Sequence, residues 1–136
     1  MNRKDFLKNC ARIAGAGVLS PLLLPSCKGV AYIPHAVEGG KIVVKKTDLA
    51  EQPFVLIQPD RLPAPIYLRL LDSGEYSAVL LQCTHRACEV RPSGTTLQCP
   101  CHGSVFSMTG EVLESPAERP LRRFEVSSDE QNIYIR

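Results

Sequence analysis

Cys83-Thr84-His85-Arg86-Ala87-Cys88 and, shortly after it, Cys99-Pro100-Cys101-His102-Gly103-Ser104 hold four of the six cysteines and two of the three histidines in a chain of 136 residues. The four cysteines fall within 19 residues. Thiolates and imidazoles are favoured ligands of iron, zinc and copper, so this density points to a metal centre. In an extended loop, side chains at i and i+2, or at i and i+3, can turn toward one point. Cys83 with His85 and Cys99 with His102 therefore form two mixed donor pairs. The 15 residues between Cys83 and Cys99 leave room for a strand that returns the second loop to the side of the first. A structural zinc site is the competing reading. Its usual spacing pairs like with like, Cys-x2–4-Cys and His-x3–5-His, which this chain does not do.

Outward from these loops the chain reads as short strands and tight turns. Candidate strands are Ile42–Lys46, Phe54–Gln58, Ile66–Leu71 and Tyr76–Leu81 before the first loop, and Thr95–Gln98 between the two. Val105–Ser107, Glu111–Leu113, Leu121–Val126 and Asn132–Ile135 follow. Asp72-Ser73-Gly74-Glu75, Ser93-Gly94, Thr109-Gly110 and Ser128-Asp129 sit where turns are needed. Many short strands at close spacing predict an all-β fold, a small antiparallel sandwich or barrel. Its base comprises roughly residues 41–81 and 121–136, with a metal-binding subdomain inserted from Gln82 to about Arg119. The length suits one domain, and 44% hydrophobic with 22% charged residues is ordinary for a globular one.

The net charge of +2 belongs to the N-terminal segment, where Arg3, Lys4, Lys8 and Arg12 face Asp5 alone. The remaining residues carry 12 Lys and Arg against 13 Asp and Glu, so nucleic acid is not an expected partner. A basic start followed by an apolar stretch from Ala11 to Leu24 is the pattern of a secretory signal, assigned to residues 1–27. The stretch has 14 residues and is broken by Pro21, whereas a spanning helix needs about 20 apolar residues. Arg3-Lys4-Asp5-Phe6-Leu7-Lys8 resembles a twin-arginine export signal, with Lys4 in place of the second Arg. Leu24-Pro25-Ser26-Cys27 resembles a lipobox, which makes Cys27 the lipidation candidate and predicts a membrane tether. An ordinary cleavage site is the alternative. Residues 28–40 read as a tether with one short strand at Ala31–Ile33, and residues 41–136 as the domain.

The two donor loops resemble the Rieske iron–sulfur protein family. Its pattern is Cys-x-His, a spacer of this length and Cys-x-x-His, here in the forms Cys83-Thr-His85 and Cys99-Pro-Cys101-His102-Gly-Ser104. The resemblance covers roughly Tyr76 to Leu121, and the flanks only by strand pattern. It implies one [2Fe–2S] cluster per chain, with Cys83 and Cys99 on one iron and His85 and His102 on the other, at an exposed tip. Two ferric ions, two sulfides and two thiolates sum to zero charge, so an electron enters more easily than in a cluster held by four thiolates. Cys88 and Cys101 match the disulfide pair of cytochrome bc-type members, a bond that persists in exported proteins. Two free thiols are the alternative. Ser104 matches the serine whose hydroxyl donates to a bridging sulfide. Phe106 stands where respiratory members often carry a tyrosine that donates to a ligand sulfur, so a lower potential is expected. Ser115-Pro116-Ala117 resembles the family's Gly-Pro-Ala covering loop.

The resemblance implies an exported electron-transfer protein on the periplasmic face. The expected role is the iron–sulfur subunit of a respiratory oxidoreductase such as a quinol–cytochrome c reductase, with quinol, cytochrome b and cytochrome c as partners. Arg86 stands where quinol-oxidising members place an apolar residue, which favours two alternatives. These are the small subunit of a periplasmic oxidase of the arsenite-oxidase type and a stand-alone lipoprotein electron carrier; a zinc-binding lipoprotein is a remote third. A Rieske oxygenase also needs two histidines and a carboxylate on a separate iron. Only His35 remains for that, so the chain reads as an electron-transfer subunit rather than a complete enzyme.

Overall fold

The computed structural model describes residues 29–136, so the expected signal segment and Cys27 lie outside the described residues. Three apolar runs set the architecture. They form β3 (Val55–Ile57) and most of β4 (Ile66–Leu70) and β5 (Tyr76–Leu80), where Val55 to Ile57, Ile66 to Leu68 and Ala78 to Leu80 are all buried. A strand with no polar alternation is one covered on both faces. With β10 (Arg123–Phe124) these strands make an antiparallel sheet of order β10-β5-β4-β3. Side chains alternate across it, as the period of two requires. Leu56, Tyr67 and Val79 enter one core, whereas Val55, Ile57, Ile66, Leu68 and Ala78 enter another.

Each core is closed by an outer sheet. β1 (Ala36–Glu38), β2 (Lys41–Lys45), β11 (Val126–Ser128) and β12 (Asn132–Ile135) form a sheet of order β1-β2-β12-β11 over the second core, to which Val44, Ile133 and Ile135 contribute. β6 (Arg91–Ser93), β7 (Thr96–Gln98), β8 (Val105–Ser107) and β9 (Val112–Glu114) form the third sheet over the first core, which holds Leu97 and Phe106. This third sheet falls between β5 and β10 in the chain, so the inserted subdomain occupies the expected place.

Four local features differ from the sequence reading. The run Leu121–Val126 is split, since β10 pairs with β5 and β11 with β12. Glu125 is the corner: its backbone already exchanges two hydrogen bonds with Arg136, at 3.0 and 2.9 Å, and so belongs to the outer sheet. Residues 31–38, read as a tether with a short strand, pair twice. Tyr32 makes a parallel bridge to Leu56, and β1 pairs with β2 across Gly39-Gly40. Both glycines have positive φ, 55° and 78°, as a two-residue hairpin turn of the right twist requires. β6 has no counterpart in the sequence reading, where Ser93-Gly94 is a turn and Arg91-Pro92 carries no strand pattern. A four-residue helix α1 (Lys46–Leu49) also follows β2 and places Leu49 in the second core. Among the described residues no helix is long and apolar enough to cross a membrane.

Candidate functional site

Three loops at one end of the inserted subdomain build the site. The first, residues 81–90, leaves β5 and is closed at its base by a bridge between Gln82 and Glu89. The second, residues 99–104, joins β7 to β8, and the third follows β9. The first two repeat one backbone device. Cys83 N–H donates to Cys88 C=O at 2.8 Å, and Ala87 N–H returns to Cys83 C=O at 2.8 Å. Likewise Cys99 N–H donates to Ser104 C=O at 2.9 Å, and Gly103 N–H to Cys99 C=O at 3.1 Å. Both loops turn through a left-handed residue four positions after the cysteine, Ala87 at φ 61° and Gly103 at φ 82°. A common loop geometry therefore presents a cysteine at its root and a histidine at its crown.

The structure brings the four sequence-predicted donors together two by two, thiol with thiol and imidazole with imidazole. Cys83 and Cys99 carry free thiols and are buried in the first core, beside Phe106 and Ala117. The rings of His85 and His102 lie edge to face, 4.9 Å between centroids and 89° between planes, and both residues are exposed. Burial pushes the Cys83 thiol pKa up. The backbone N–H groups of His85 and Arg86, the Cys99 thiol and the Ser104 hydroxyl outweigh that and bring it below the ordinary value. The thiolate is the form that binds metal, so this environment favours the binding-competent form of the sulfur.

Cys88 and Cys101 form the expected disulfide, which ties the first loop to the second. The sulfurs of Cys88, Cys99 and Cys101 lie within 4.8 Å of one another. That trio is not a ligand set, because two of its members are bonded to each other and have no thiolate to give. The third loop fastens to both of the others. Ala117 N–H donates to Ser104 Oγ at 2.9 Å inside the protein, and Thr84 Oγ1 donates to Arg119 C=O at 2.6 Å. With its lone pair engaged by Ala117, the Ser104 hydroxyl keeps its hydrogen free to donate toward sulfur. Phe106 is fully buried on β8. Arg86 is exposed beside His85. His35 lines a hollow with Leu62 and Phe124, apart from the donor loops.

Sequence reading missed three contributors: the left-handed Ala87, the Thr84 hydroxyl clamp and the Ala117 N–H. The first had no signal, since alanine rarely adopts positive φ. The other two depend on where a third loop lands.

Two buried thiols and two exposed imidazoles fit a [2Fe–2S] cluster of mixed ligation. The sulfurs suit iron in a dry floor, and the rings suit iron at the surface. The Rieske [2Fe-2S] domain family matches residues 31–125. The chain is 38% identical to the cytochrome b6-f complex iron–sulfur subunit 3 of a Nostoc species, over 99% of this chain and 84% of that protein. It is 50% identical to a Rieske 2Fe-2S iron–sulfur protein of Bacillus subtilis over 40% of this chain, which spans 11% of that protein. It spans 42% of the length of some other cytochrome b6-f iron–sulfur subunits that it matches. The crystal structure of a cyanobacterial plasma membrane Rieske protein from Synechocystis superposes with a TM-score of 0.58 at 30% identity, covering 68% of this chain and 94% of that one. Motif, loop geometry and relatives agree, and the chain belongs to the Rieske [2Fe–2S] domain family.

Proposed function

We propose that this Rieske electron-transfer protein binds its cluster through the Sγ atoms of Cys83 and Cys99 and through ring nitrogens of His85 and His102. In the same reading it works outside the cytoplasm, tethered to the membrane by a lipid on Cys27, as the iron–sulfur subunit of a bc-type respiratory complex. The observation that carries the cluster-binding part of this reading is the pair of buried thiols with the pair of exposed, mutually perpendicular imidazoles. When bound, the cluster supplies a one-electron couple. The chain does the rest. Backbone N–H groups of His85 and Arg86 favour the Cys83 thiolate, and the buried Phe106 and Ala117 keep water from the sulfur floor. The disulfide and the Thr84 and Ala117 hydrogen bonds hold the three loops in one arrangement. The exposed imidazoles are where a partner can approach, and a ring nitrogen there can accept a hydrogen bond from a donor hydroxyl and hold its proton. The relatives named for cytochrome b6-f complexes support cytochromes as partners.

One observation favours a second reading. Arg86 is charged and exposed at the tip, which suits docking to a periplasmic oxidoreductase or a plain relay better than entry into an apolar quinol pocket. Redox titration of the cluster-loaded protein at several pH values, followed by visible and EPR spectra, separates the readings. A rhombic signal of low average g on reduction is expected for histidine ligation, and it should be lost in Cys83→Ser. A potential that falls as pH rises near neutrality favours proton-coupled quinol oxidation, and a flat one favours the relay. A colourless protein that takes one zinc and refuses iron overturns both.

A further inference from the structure

Away from the donor loops, a hollow of about 460 Å³ opens between the β1–β2 hairpin, the loop after β3 and the ends of β10 and β12. Three arginines line it: Arg61 from the loop, Arg122 beside β10 and Arg136 after β12, all exposed. Its floor is apolar, with Ile135 and Phe124 from the second core. Asp60 supplies the single carboxylate side chain among its lining residues. Among the described residues the one ion pair joins Arg123 to Glu111, and none of their carboxylates lies within salt-bridge distance of the three guanidiniums. Glu125 pairs with Arg136 through backbone atoms only and lines a neighbouring hollow with Lys41 and Tyr134.

Three guanidiniums against one carboxylate side chain, over an apolar floor, leave a positive potential in the hollow. Arg122 is already positioned, its guanidinium 4.9 Å from the centroid of the Phe124 ring. This cation–π contact holds the guanidinium against the ring face and leaves N–H groups to donate elsewhere. A phosphate-type anion offers the oxygen pairs that such forks bind in bidentate fashion.

The geometry points to a binding site for a phosphate-bearing anion in the hollow lined by Arg61, Arg122 and Arg136. Two sources share that chemistry, a phospholipid headgroup and free phosphate. Seven residues lie between Cys27 and His35 on the rim of the hollow, eight Cα-to-Cα steps with a reach of at most about 28 Å of extended chain. With the lipid proposed above on Cys27, a headgroup is within that reach, and this favours the first source. The site itself needs neither that lipid nor the cluster ligands.

The test is an NMR titration of the 15N-labelled, cluster-loaded full chain, reading arginine Nε–H signals. The probes are inorganic phosphate, dihexanoyl phosphatidylglycerol below its micelle concentration and, as a zwitterionic control, dihexanoyl phosphatidylcholine. Saturable shifts at Arg61, Arg122 and Arg136 are expected, weakened about tenfold by Arg122→Gln, the loss of one charge-assisted fork. Arg91→Gln, on β6 in the third sheet, should bind as the wild type does. Tighter binding of phosphatidylglycerol than of phosphate identifies a headgroup site, and equal binding identifies a free-phosphate site. No saturable shift with either anion, equal binding of phosphatidylcholine, or equal weakening by Arg91→Gln overturns the proposal.

Discussion

At the scale of single residues, the site depends on atoms that one substitution can add or remove. Phe106 lies in the core with both cysteine sulfurs and offers no donor. Phe106→Tyr is expected to raise the midpoint potential by on the order of 60 mV, the equivalent of one hydrogen bond to a charged sulfur. The added hydroxyl favours the reduced form because that form carries more negative charge. A redox titration that finds the potential unchanged removes Phe106 from the account of tuning. Glycines supply a second comparison. Gly103 has φ 82° and open space where a Cβ would stand, and Gly110 has φ 88° with Leu121 Cβ at 3.1 Å and Val79 Cγ1 at 3.2 Å. Gly103→Ala should cost about 1–2 kcal/mol from backbone strain alone. Gly110→Ala should cost about 2–4 kcal/mol, because overpacking between β5 and Leu121 adds to the strain. Urea unfolding of both variants checks the order. The twin loop already folds with alanine in the left-handed position, so Gly103→Ala should retain its site.

At the scale of elements, the hairpin of β11 and β12 closes on one carboxylate. Asp129 accepts from the Tyr134 hydroxyl at 2.6 Å and from the backbone N–H groups of Asn132 and Gln131 at 2.7 and 2.8 Å. The Tyr134 hydroxyl first, then those N–H groups, lower its pKa from 3.8 to about 2. The folded value lies below the unfolded one, so the stabilisation is fully present above 3.8 and is lost as pH falls through about 2. Asp129→Asn should therefore be less stable than the wild type at neutral pH, with the difference closing in acid. Denaturant midpoints at pH 7, 4 and 2 would show it, and a gap as large at pH 2 as at pH 7 would contradict this origin. The sequence marked Ser128-Asp129 as a turn, and the structure adds the reason for the aspartate.

At the scale of the whole molecule, the middle sheet is shared by two cores, and the donor loops grow from one of them. The Cys88–Cys101 bond fastens the loops with a sequence separation of 13. A loop of that size restricts the unfolded chain by about 3 kcal/mol, so the double variant Cys88→Ser, Cys101→Ser should lose about that much in denaturant unfolding. Loss of the cluster signal together with stability is expected, because the two donor loops lean on each other through this bond.

Much of this was legible in the residues. Cys83, His85, Cys99 and His102 stood out because metal chemistry needs rare side chains, and rare side chains at fixed spacing are readable without a fold. The strands of the middle sheet were legible because burial on both faces demands unbroken apolar runs. The Cys88–Cys101 pair was legible only through the family pattern. Other features depended on contacts between distant residues. The strand expected at Leu121–Val126 looked continuous, and only its two sets of partners divide it at Glu125. Residues 36–38 carry no apolar alternation of their own, and β1 exists because Gly39-Gly40 turns it onto β2. The Thr84 clamp and the Ala117 N–H on Ser104 join residues 35 and 13 positions apart. The sequence by itself determined which chemistry the chain carries and which segments are strands, since both are written in local residue types and spacing. Only the tertiary structure decided the edge-to-face imidazoles, the buried thiols and the arginine-lined hollow, because each is made where separate segments meet and no one segment encodes the meeting.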